Sequence, residues 1–318
     1  MNHIVAVFLS LLLSLAQVHG QSLPLLHAGP GAQSSGGGGY SGPGDAISGA
    51  KAFFSCARAY NAAYANGTNP LCDLNAATGG ASVCTLRVAT SGFVDLAASY
   101  CAGTTPSAAC LAASGGSCVV SKLYDQSGAN ACTGAGPCDV TQATLANMPA
   151  LTFSALNSLP CLTFATGDKL ATPGIFSPSL PQPVTVTVVA KRTGNFTTEG
   201  DLVNDSGSQL NTFFDTSANA VRMYAGGTSG SFTASDNAFH GLQFVASQTA
   251  AYINVDGTAN STTVGTTAFA NGVGVGGTFS GTTGLICEGG VYAIGFSTGQ
   301  QTTMFNNMNG SSGYNGGL

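Results

Sequence analysis

The sequence lacks tryptophan and is poor in charged residues. Charged side chains make up 7% of its 318 residues, with eight Lys and Arg against thirteen Asp and Glu, and the formal net charge is −5. A nucleic-acid partner requires a cluster of basic side chains, and anionic membranes attract the same feature. Because the sequence contains no basic cluster, neither partner is predicted.

Long apolar runs are absent after the N-terminus. Ile4–Leu15 is an apolar run that is too short to span a membrane, and Val18–Gly20 ends on a small residue before Gln21. This pattern is typical of a signal peptide, which we assign to residues 1–20, and it predicts secretion. No later run approaches the ~20 apolar residues of a spanning helix, so membrane insertion is not predicted.

Zinc-binding patterns are absent as well. No C-x2-C pair exists, and His27 and His240 are the only histidines after residue 20, so neither a metal nor a cofactor is predicted. An even set of cysteines in a secreted chain indicates disulfides. Pairing is not determined by sequence, although Cys132 with Cys138 and Cys161 with Cys287 are plausible. The ten cysteines are Cys56, Cys72, Cys84, Cys101, Cys110, Cys118, Cys132, Cys138, Cys161 and Cys287.

The chain divides into a signal peptide, a leader over residues 21–44 and a single domain over residues 45–318. The leader is rich in Gly, Ser and Pro, which predicts flexibility. Asp45 can cap a helix, and apolar spacing over Ala46–Ala65 predicts one. A second short helix is predicted at Gly92–Tyr100. The disulfide-rich N-terminal portion is therefore expected to be partly helical.

Short β-branched and aromatic runs dominate the rest of the chain. Turn residues separate them at about 8–12 residue spacing, which is the signature of a β-sandwich or barrel. Ala251–Thr258 predicts a hairpin with an Asp-Gly turn, and Thr298–Met308 predicts a terminal helix. The predicted strands are Pro149–Phe153, Pro160–Phe164, Val184–Ala190, Asn211–Asp215, Val221–Ala225, Leu242–Ala246, Ala250–Val255, Gly272–Gly276 and Val291–Phe296.

One motif, Tyr124–Gly128, reads Tyr-Asp-Gln-Ser-Gly and follows the apolar stretch Cys118–Leu123. Its own chemistry predicts a structural turn, because Asp and Ser bond nearby amides and Gly tolerates positive φ. With Val203–Gly207 and Gly274–Gly277, it also resembles the catalytic domain of the α-L-arabinofuranosidase B family. The resemblance implies an all-β fold, a concanavalin A-like (jelly-roll type) β-sandwich, and glycoside hydrolysis of arabinose-containing polysaccharide.

Some of the functional residues that the family resemblance implies are present in this sequence, and others are replaced. It implies sugar contacts at Asp205 and Gly277, and the motif adds Asp125 as a candidate glycan contact. However, the family's two catalytic carboxylates fall on Leu210 and Thr278, and its stacking tryptophan is missing. A retaining glycosidase needs two carboxyl groups ~5 Å apart, so catalysis by that route is not predicted at those two positions. The remaining catalytic candidates are Glu199, Asp205 and Glu288, with Asp201 and Asp215 as further available acids.

Alternatives to catalysis stay open. The chain could be a non-catalytic glycan-binding module or an extracellular structural protein, and Tyr224 and Tyr314 are candidate aromatic rings for a sugar. Each catalytic candidate also has a structural interpretation, because isolated carboxylates commonly bond backbone amides in turns. Five N-x-[ST] sequons are candidate glycosylation sites, namely Asn66, Asn195, Asn204, Asn260 and Asn309.

Overall fold

The computed structural model describes residues 39–134, 136–193, 199–216, 219–277 and 283–318. These residues form an all-β fold, as the sequence predicts. The strands are β1 (Ala50–Ser55), β2 (Pro70–Ala76), β3 (Ser82–Arg87), β4 (Cys118–Leu123), β5 (Val140–Thr141), β6 (Ala150–Leu156), β7 (Leu159–Phe164), β8 (Lys169–Ala171), β9 (Val184–Thr193), β10 (Gly200–Asp201), β11 (Val203–Asp205), β12 (Asn211–Phe214), β13 (Ala220–Tyr224), β14 (Phe232–Thr233), β15 (Phe239–Ala246), β16 (Ala251–Val255), β17 (Thr258–Thr262), β18 (Val273–Gly276) and β19 (Thr283–Tyr292).

The helices within the described residues are short. They are α1 (Pro43–Ala46), α2 (Pro106–Ser114) and α3 (Thr298–Asn309), with a 3-10 turn at Leu145–Asn147. The terminal helix is confirmed, and Ser297 caps it by accepting a hydrogen bond from the Gln300 amide at 3.3 Å. None of these helices is long and apolar enough to cross a bilayer.

Two helix predictions in the N-terminal portion are wrong. Ala46–Ala65 contains β1, which buries Phe53 and Phe54 on opposite sides of the sheet, so its apolar run imitates helical spacing. Gly92–Tyr100 is not helical. The longer helix of this portion is α2, which Thr105 caps and which ends at Gly115 in the left-handed conformation.

The strands pair antiparallel in two sheets. The long sheet has the order β11-β18-β8-β5-β4-β6-β7-β19-β9-β15-β16-β17, with β1 added to β19 and the β2–β3 hairpin added to β4. The small sheet has the order β10-β12-β13-β14. The predicted hairpin is present: β16 pairs with β17, and the turn Asp256-Gly257 connects the two strands. Both turn residues have positive φ.

The strands enclose two hydrophobic cores. The main core joins both parts of the long sheet with the inner face of the small sheet, for example through Leu74, Val188 and Met223. The long sheet therefore folds over itself as a sandwich. The helix-side core packs α3 against the other face of β9 and includes Val189 and Met304. β9 is buried on both faces, so its first seven residues are all buried even though Thr185 and Thr187 alternate there with valines.

All ten cysteines form disulfides, as predicted. The two suggested pairs, Cys132–Cys138 and Cys161–Cys287, are confirmed. The other three bonds staple the N-terminal portion: Cys56–Cys72, Cys84–Cys101 and Cys110–Cys118. The end of the predicted leader also contacts this portion, because the Tyr40 ring packs edge-on against Phe93 with centroids 5.7 Å apart.

Candidate active site

The two sheets meet at Leu202, which separates β10 from β11. The Leu202 N–H donates to the Thr212 carbonyl at 2.9 Å, and the Leu202 carbonyl accepts from the Gly276 N–H at 2.8 Å. One residue therefore bonds both the small sheet and β18 of the long sheet. Asp201 and Gly277 are placed together at this junction, because a Cβ added to Gly277 would lie 2.4 Å from Asp201 Oδ2.

Asp201 belongs to a row of side chains on the outer face of the small sheet. Asp201 pairs with Phe213, and Phe213 pairs with Arg222. Directly paired residues in antiparallel strands share a face. The alternate residues of β13, Val221 and Met223, are in the main core, so this row faces away from that core.

Asp215 extends this face beyond β12. Its Oδ2 lies 2.9 Å from Arg222 Nε and accepts a hydrogen bond from the Ser231 hydroxyl at 2.9 Å. The Asp215 backbone carbonyl also accepts from the Arg192 guanidinium. Asp215 is almost fully buried, whereas the Arg222 side chain is 35% exposed. Asp215 therefore holds Arg222 at the edge of the site and is itself poorly accessible.

Glu199 is exposed and directly precedes β10. Partial burial raises the pKa of the Glu199 carboxyl, and the carboxylates of Asp201 and Asp215 raise it further, while Arg222 opposes them. A carboxylic acid with a raised pKa is the usual proton donor of glycosidases. Glu199, Asp201 and Asp215 are called the acid cluster below.

Asp205 is held in a structural turn. Its Oδ2 accepts from the amides of Ala270 and Asn271, both at 2.7 Å, and its Oδ1 accepts from the Gly207 amide and the Asn271 side chain, both at 2.8 Å. The side chain is almost completely buried. Both carboxylate oxygens thus accept hydrogen bonds from neighbouring loop residues. The Asp205 side chain is directed to these partners and not to Gly277.

The family resemblance assigns catalytic carboxylates to the positions of Leu210 and Thr278, and neither residue has a carboxyl group. Leu210 is buried in the main core, and its carbonyl accepts from the Asp205 amide at 2.7 Å. Thr278 lies outside the described residues. The acid cluster is the alternative source of carboxylates, and it lies beside Gly277 through Asp201.

Glu288 is part of a buried ion pair on β19. Arg58 donates to both Glu288 oxygens, at 2.6 and 2.8 Å, and the Tyr314 hydroxyl donates to Oε2 at 3.2 Å. Burial alone would lower the pKa of Arg58, but Glu288 raises it overall. Both carboxylate oxygens are occupied, and Tyr314 is fully buried. This network joins the segment that follows β1 to β19 and to the C-terminal segment.

The Tyr124–Gly128 motif anchors β1. Asp125 accepts from the amides of Phe53, Ser127 and Cys138 at 2.9–3.1 Å. Gln126 accepts from the Tyr60 amide and donates to the Ser55 carbonyl, both at 2.9 Å. Burial raises the pKa of Asp125, and its amide donors act in the opposite direction. These contacts support the structural interpretation of the motif over its use as a glycan contact.

His240 lies between Asp256 and Ser235. Its Nδ1 is 2.7 Å from Asp256 Oδ2, and its Nε2 is 2.8 Å from the Ser235 carbonyl. A carbonyl can only accept, so Nε2 carries a proton and is not a base for the Ser235 hydroxyl, 3.4 Å away. Burial lowers the pKa of His240, but the bonds to Asp256 and Ser235 outweigh it and raise the pKa overall.

This arrangement predicts a pH-dependent stability. The raised pKa means that charged His240 stabilises the fold fully below the unfolded pKa of about 6.5, and that this contribution is lost as the pH rises through the folded pKa. The melting temperature should therefore fall above pH 6.5 in the wild type more steeply than in His240→Gln. A thermal scan by circular dichroism tests this; parallel slopes for the two proteins would contradict it.

Within the described ranges, no group of three or more His, Cys, Asp or Glu side chains could hold a metal ion. From the sequence, Glu199 is predicted as a catalytic candidate, whereas Asp201 and Asp215 are noted only as further available acids. The signal for their assembly lies in strand register, since the β12–β13 hairpin brings Arg222 opposite Phe213 and β10 adds Asp201 to that row. That pairing spans separate segments and leaves no local trace in the sequence.

No protein-family model matches the sequence, and no curated protein matches it. Among solved structures, a GH54 α-L-arabinofuranosidase soaked with a cyclic sulfate inhibitor is similar, with 13% sequence identity and a TM-score of 0.59. An arabinofuranosidase complexed with arabinofuranosyl-α-1,2-xylobiose is 14% identical, with a TM-score of 0.58. Each match covers 85% of this chain and 65% of the other. At this identity the likeness establishes the β-sandwich fold.

Proposed function

We propose that this chain is a glycoside hydrolase-like protein that acts on arabinose-containing polysaccharide at the acid cluster. The observation that carries the proposal is the contact between Asp201 and Gly277, the glycine that the family resemblance places beside the sugar. Glu199 lies close enough to Asp201 and Asp215 for their charges to raise its pKa. The shared β-sandwich fold with arabinofuranosidases supports the proposed class of activity.

The acid cluster offers the two roles that glycoside hydrolysis needs. Protonated Glu199 would donate its proton to the glycosidic oxygen as the bond to the anomeric carbon breaks. The Asp201 carboxylate would attack that carbon and form a glycosyl-enzyme ester. Glu199, now ionised, would take a proton from water, and the resulting attack would release the sugar and restore Asp201. Asp215 is too deeply buried to take either role, and it would hold Arg222 at the edge of the site, 2.9 Å away.

A second candidate function is glycan binding without catalysis. The burial of Leu210 in the main core favours it, because that position carries a catalytic carboxylate in the family resemblance. The same outer face of the small sheet would then hold the sugar. This candidate predicts binding to arabinan that weakens in Asp201→Asn, with no release of sugar.

Turnover separates the two functions. We expect the oxidised wild-type protein to release 4-nitrophenol from 4-nitrophenyl α-L-arabinofuranoside, and Asp201→Asn to abolish the release. Asp95→Asn is the matched control, because the Asp95 side chain accepts hydrogen bonds from the amides of Ala97 and Ala98, at 3.2 and 2.9 Å, in the N-terminal portion. A folded wild type that releases no nitrophenol but binds arabinan would leave only the binding function; absence of both would remove the proposal.

We also propose that the protein is secreted. Five disulfides require an oxidising compartment to form and persist. The predicted signal peptide over residues 1–20 lies outside the described residues. In a eukaryotic secretory pathway, exposed sequons would be open to glycosylation.

The sequons differ in accessibility, which predicts their occupancy. Asn66 is exposed in a turn, where its Oδ1 accepts from Thr68 and Asn69. Asn204 is buried, and its Oδ1 accepts from the Thr212 amide at 2.7 Å. After expression in a eukaryotic secretory host, glycosidase treatment and peptide mass mapping should find glycan on Asn66 and none on Asn204. Occupancy of Asn204, or an unmodified Asn66, would contradict this prediction.

A further inference from the structure

Tyr224 is an exposed aromatic residue on the same face as the acid cluster. It lies two residues after Arg222 on β13 and is 37% exposed, although its neighbour Met223 is fully buried. Side chains two residues apart on a strand share a face. Tyr224 and Arg222 therefore form a partly exposed edge on β13, and Phe213 of β12 lies between Arg222 and Asp201.

The spacing places Tyr224 beyond the first sugar. Arg222 lies two strands from Asp201, or about 10 Å, and Tyr224 lies a further ~7 Å along β13, from the usual strand dimensions. A sugar ring held at Asp201 cannot also cover Tyr224. The ring of Tyr224 is thus placed for a neighbouring sugar unit.

The surroundings of Tyr224 suit a carbohydrate. Asn211 pairs with Tyr224 across β12 and β13, and its Oδ1 is buried beneath this edge with no hydrogen-bond donor within the part of the chain that the structure describes. Thr228 forms a bridge to Tyr224 on the other side. An aromatic face flanked by amide and hydroxyl groups matches the apolar face and the hydroxyl rim of a sugar ring.

We infer that Tyr224 is the aromatic platform of a second subsite, which selects a glycan chain of two or more units over a single arabinofuranoside. This inference rests on the proposed function of the acid cluster and specifies its substrate. Arg222 links the two subsites, because it contacts Asp215 and adjoins Tyr224 on β13.

The test compares Tyr224→Ala and Tyr224→Phe on two substrates. On 4-nitrophenyl α-L-arabinofuranoside, which has a single sugar and only a nitrophenyl ring beside it, KM should change less in both variants than on the longer substrate. On an arabino-oligosaccharide, Tyr224→Ala should raise KM about five- to tenfold, as expected for loss of one aromatic contact. Tyr224→Phe, which keeps the ring, should restore the wild-type KM.

Affinity electrophoresis in gels containing arabinan gives a readout independent of turnover. Retardation of the wild type that is lost in Tyr224→Ala and kept in Tyr224→Phe would support the second subsite, even for a protein that releases no nitrophenol. Equal retardation of all three proteins, or an unchanged oligosaccharide KM in Tyr224→Ala, would overturn the second subsite. In that outcome, nitrophenol release by the wild type would still support the acid cluster.

Discussion

Replacing Glu199 by glutamine is expected to lower the rate of arabino-oligosaccharide hydrolysis by ~10²–10⁴-fold, the usual contribution of general acid–base catalysis. Glutamine keeps the shape of the side chain but cannot supply a proton. The effect follows from the position of Glu199. Partial burial and the charges of Asp201 and Asp215 raise the pKa of its carboxyl group. Steady-state kinetics on a defined oligosaccharide measures the loss.

The leaving group makes this prediction specific to proton donation. Nitrophenolate leaves readily without a proton, so Glu199→Gln should slow formation of the glycosyl-enzyme much less for the 4-nitrophenyl substrate than for the oligosaccharide. Asp201→Asn should slow both substrates equally, because the attacking carboxylate is needed whatever the leaving group. Equal losses for both substrates in Glu199→Gln would refute its role as the acid, and Asp95→Asn should leave both rates unchanged.

Glu288→Gln is expected to destabilise the fold by about 3–5 kcal/mol, the usual cost of removing one partner from a buried ion pair. Both side chains of the Arg58–Glu288 pair are inaccessible to solvent. The variant would leave the Arg58 charge buried without its carboxylate partner. Guanidinium denaturation under oxidising conditions, with the free energy of unfolding extrapolated to water, measures the loss.

Lys122→Met provides the matched control for this prediction. Lys122 pairs with Asp139 at 2.7 Å, but both side chains are partly exposed. Partly exposed pairs contribute up to about 1 kcal/mol, so this variant should remain close to the wild type. If Glu288→Gln lost no more stability than Lys122→Met, the buried network would not hold the C-terminal segment as described. Folded Glu288→Gln should also retain the hydrolysis rate, since Glu288 lies outside the acid cluster.

The sequence predicts the fold far better than the site. The Asp256-Gly257 turn and the Cys132–Cys138 disulfide are local signals, and the structure confirms both. The suggested Cys161–Cys287 bond is confirmed too, although it joins distant segments, whereas the predicted strand Val291–Phe296 is wrong beyond Tyr292. The helix predicted at Ala46–Ala65 fails because β1 is buried on both faces by two cores. Burial on both faces removes the alternation from which a strand is recognised.

The candidate site depends on pairing between distant segments. Asp205 and Glu288 read as free acids in the sequence, but four and three hydrogen bonds, respectively, engage their carboxylates in the structure. Asp201 and Gly277 are 76 residues apart in sequence, from 277 minus 201, and meet only because Leu202 bonds both sheets. The Tyr124–Gly128 motif indicates this fold because its side chains anchor β1.

Covalent trapping tests the central claim most directly. The oxidised protein would be incubated with a cyclic sulfate mimic of an α-L-arabinofuranoside, digested and mapped by mass spectrometry. The proposed function predicts one adduct per molecule, on Asp201, and its absence when an excess of arabino-oligosaccharide competes for the site. An adduct on another carboxylate, or none on a folded protein, would contradict hydrolysis at the acid cluster.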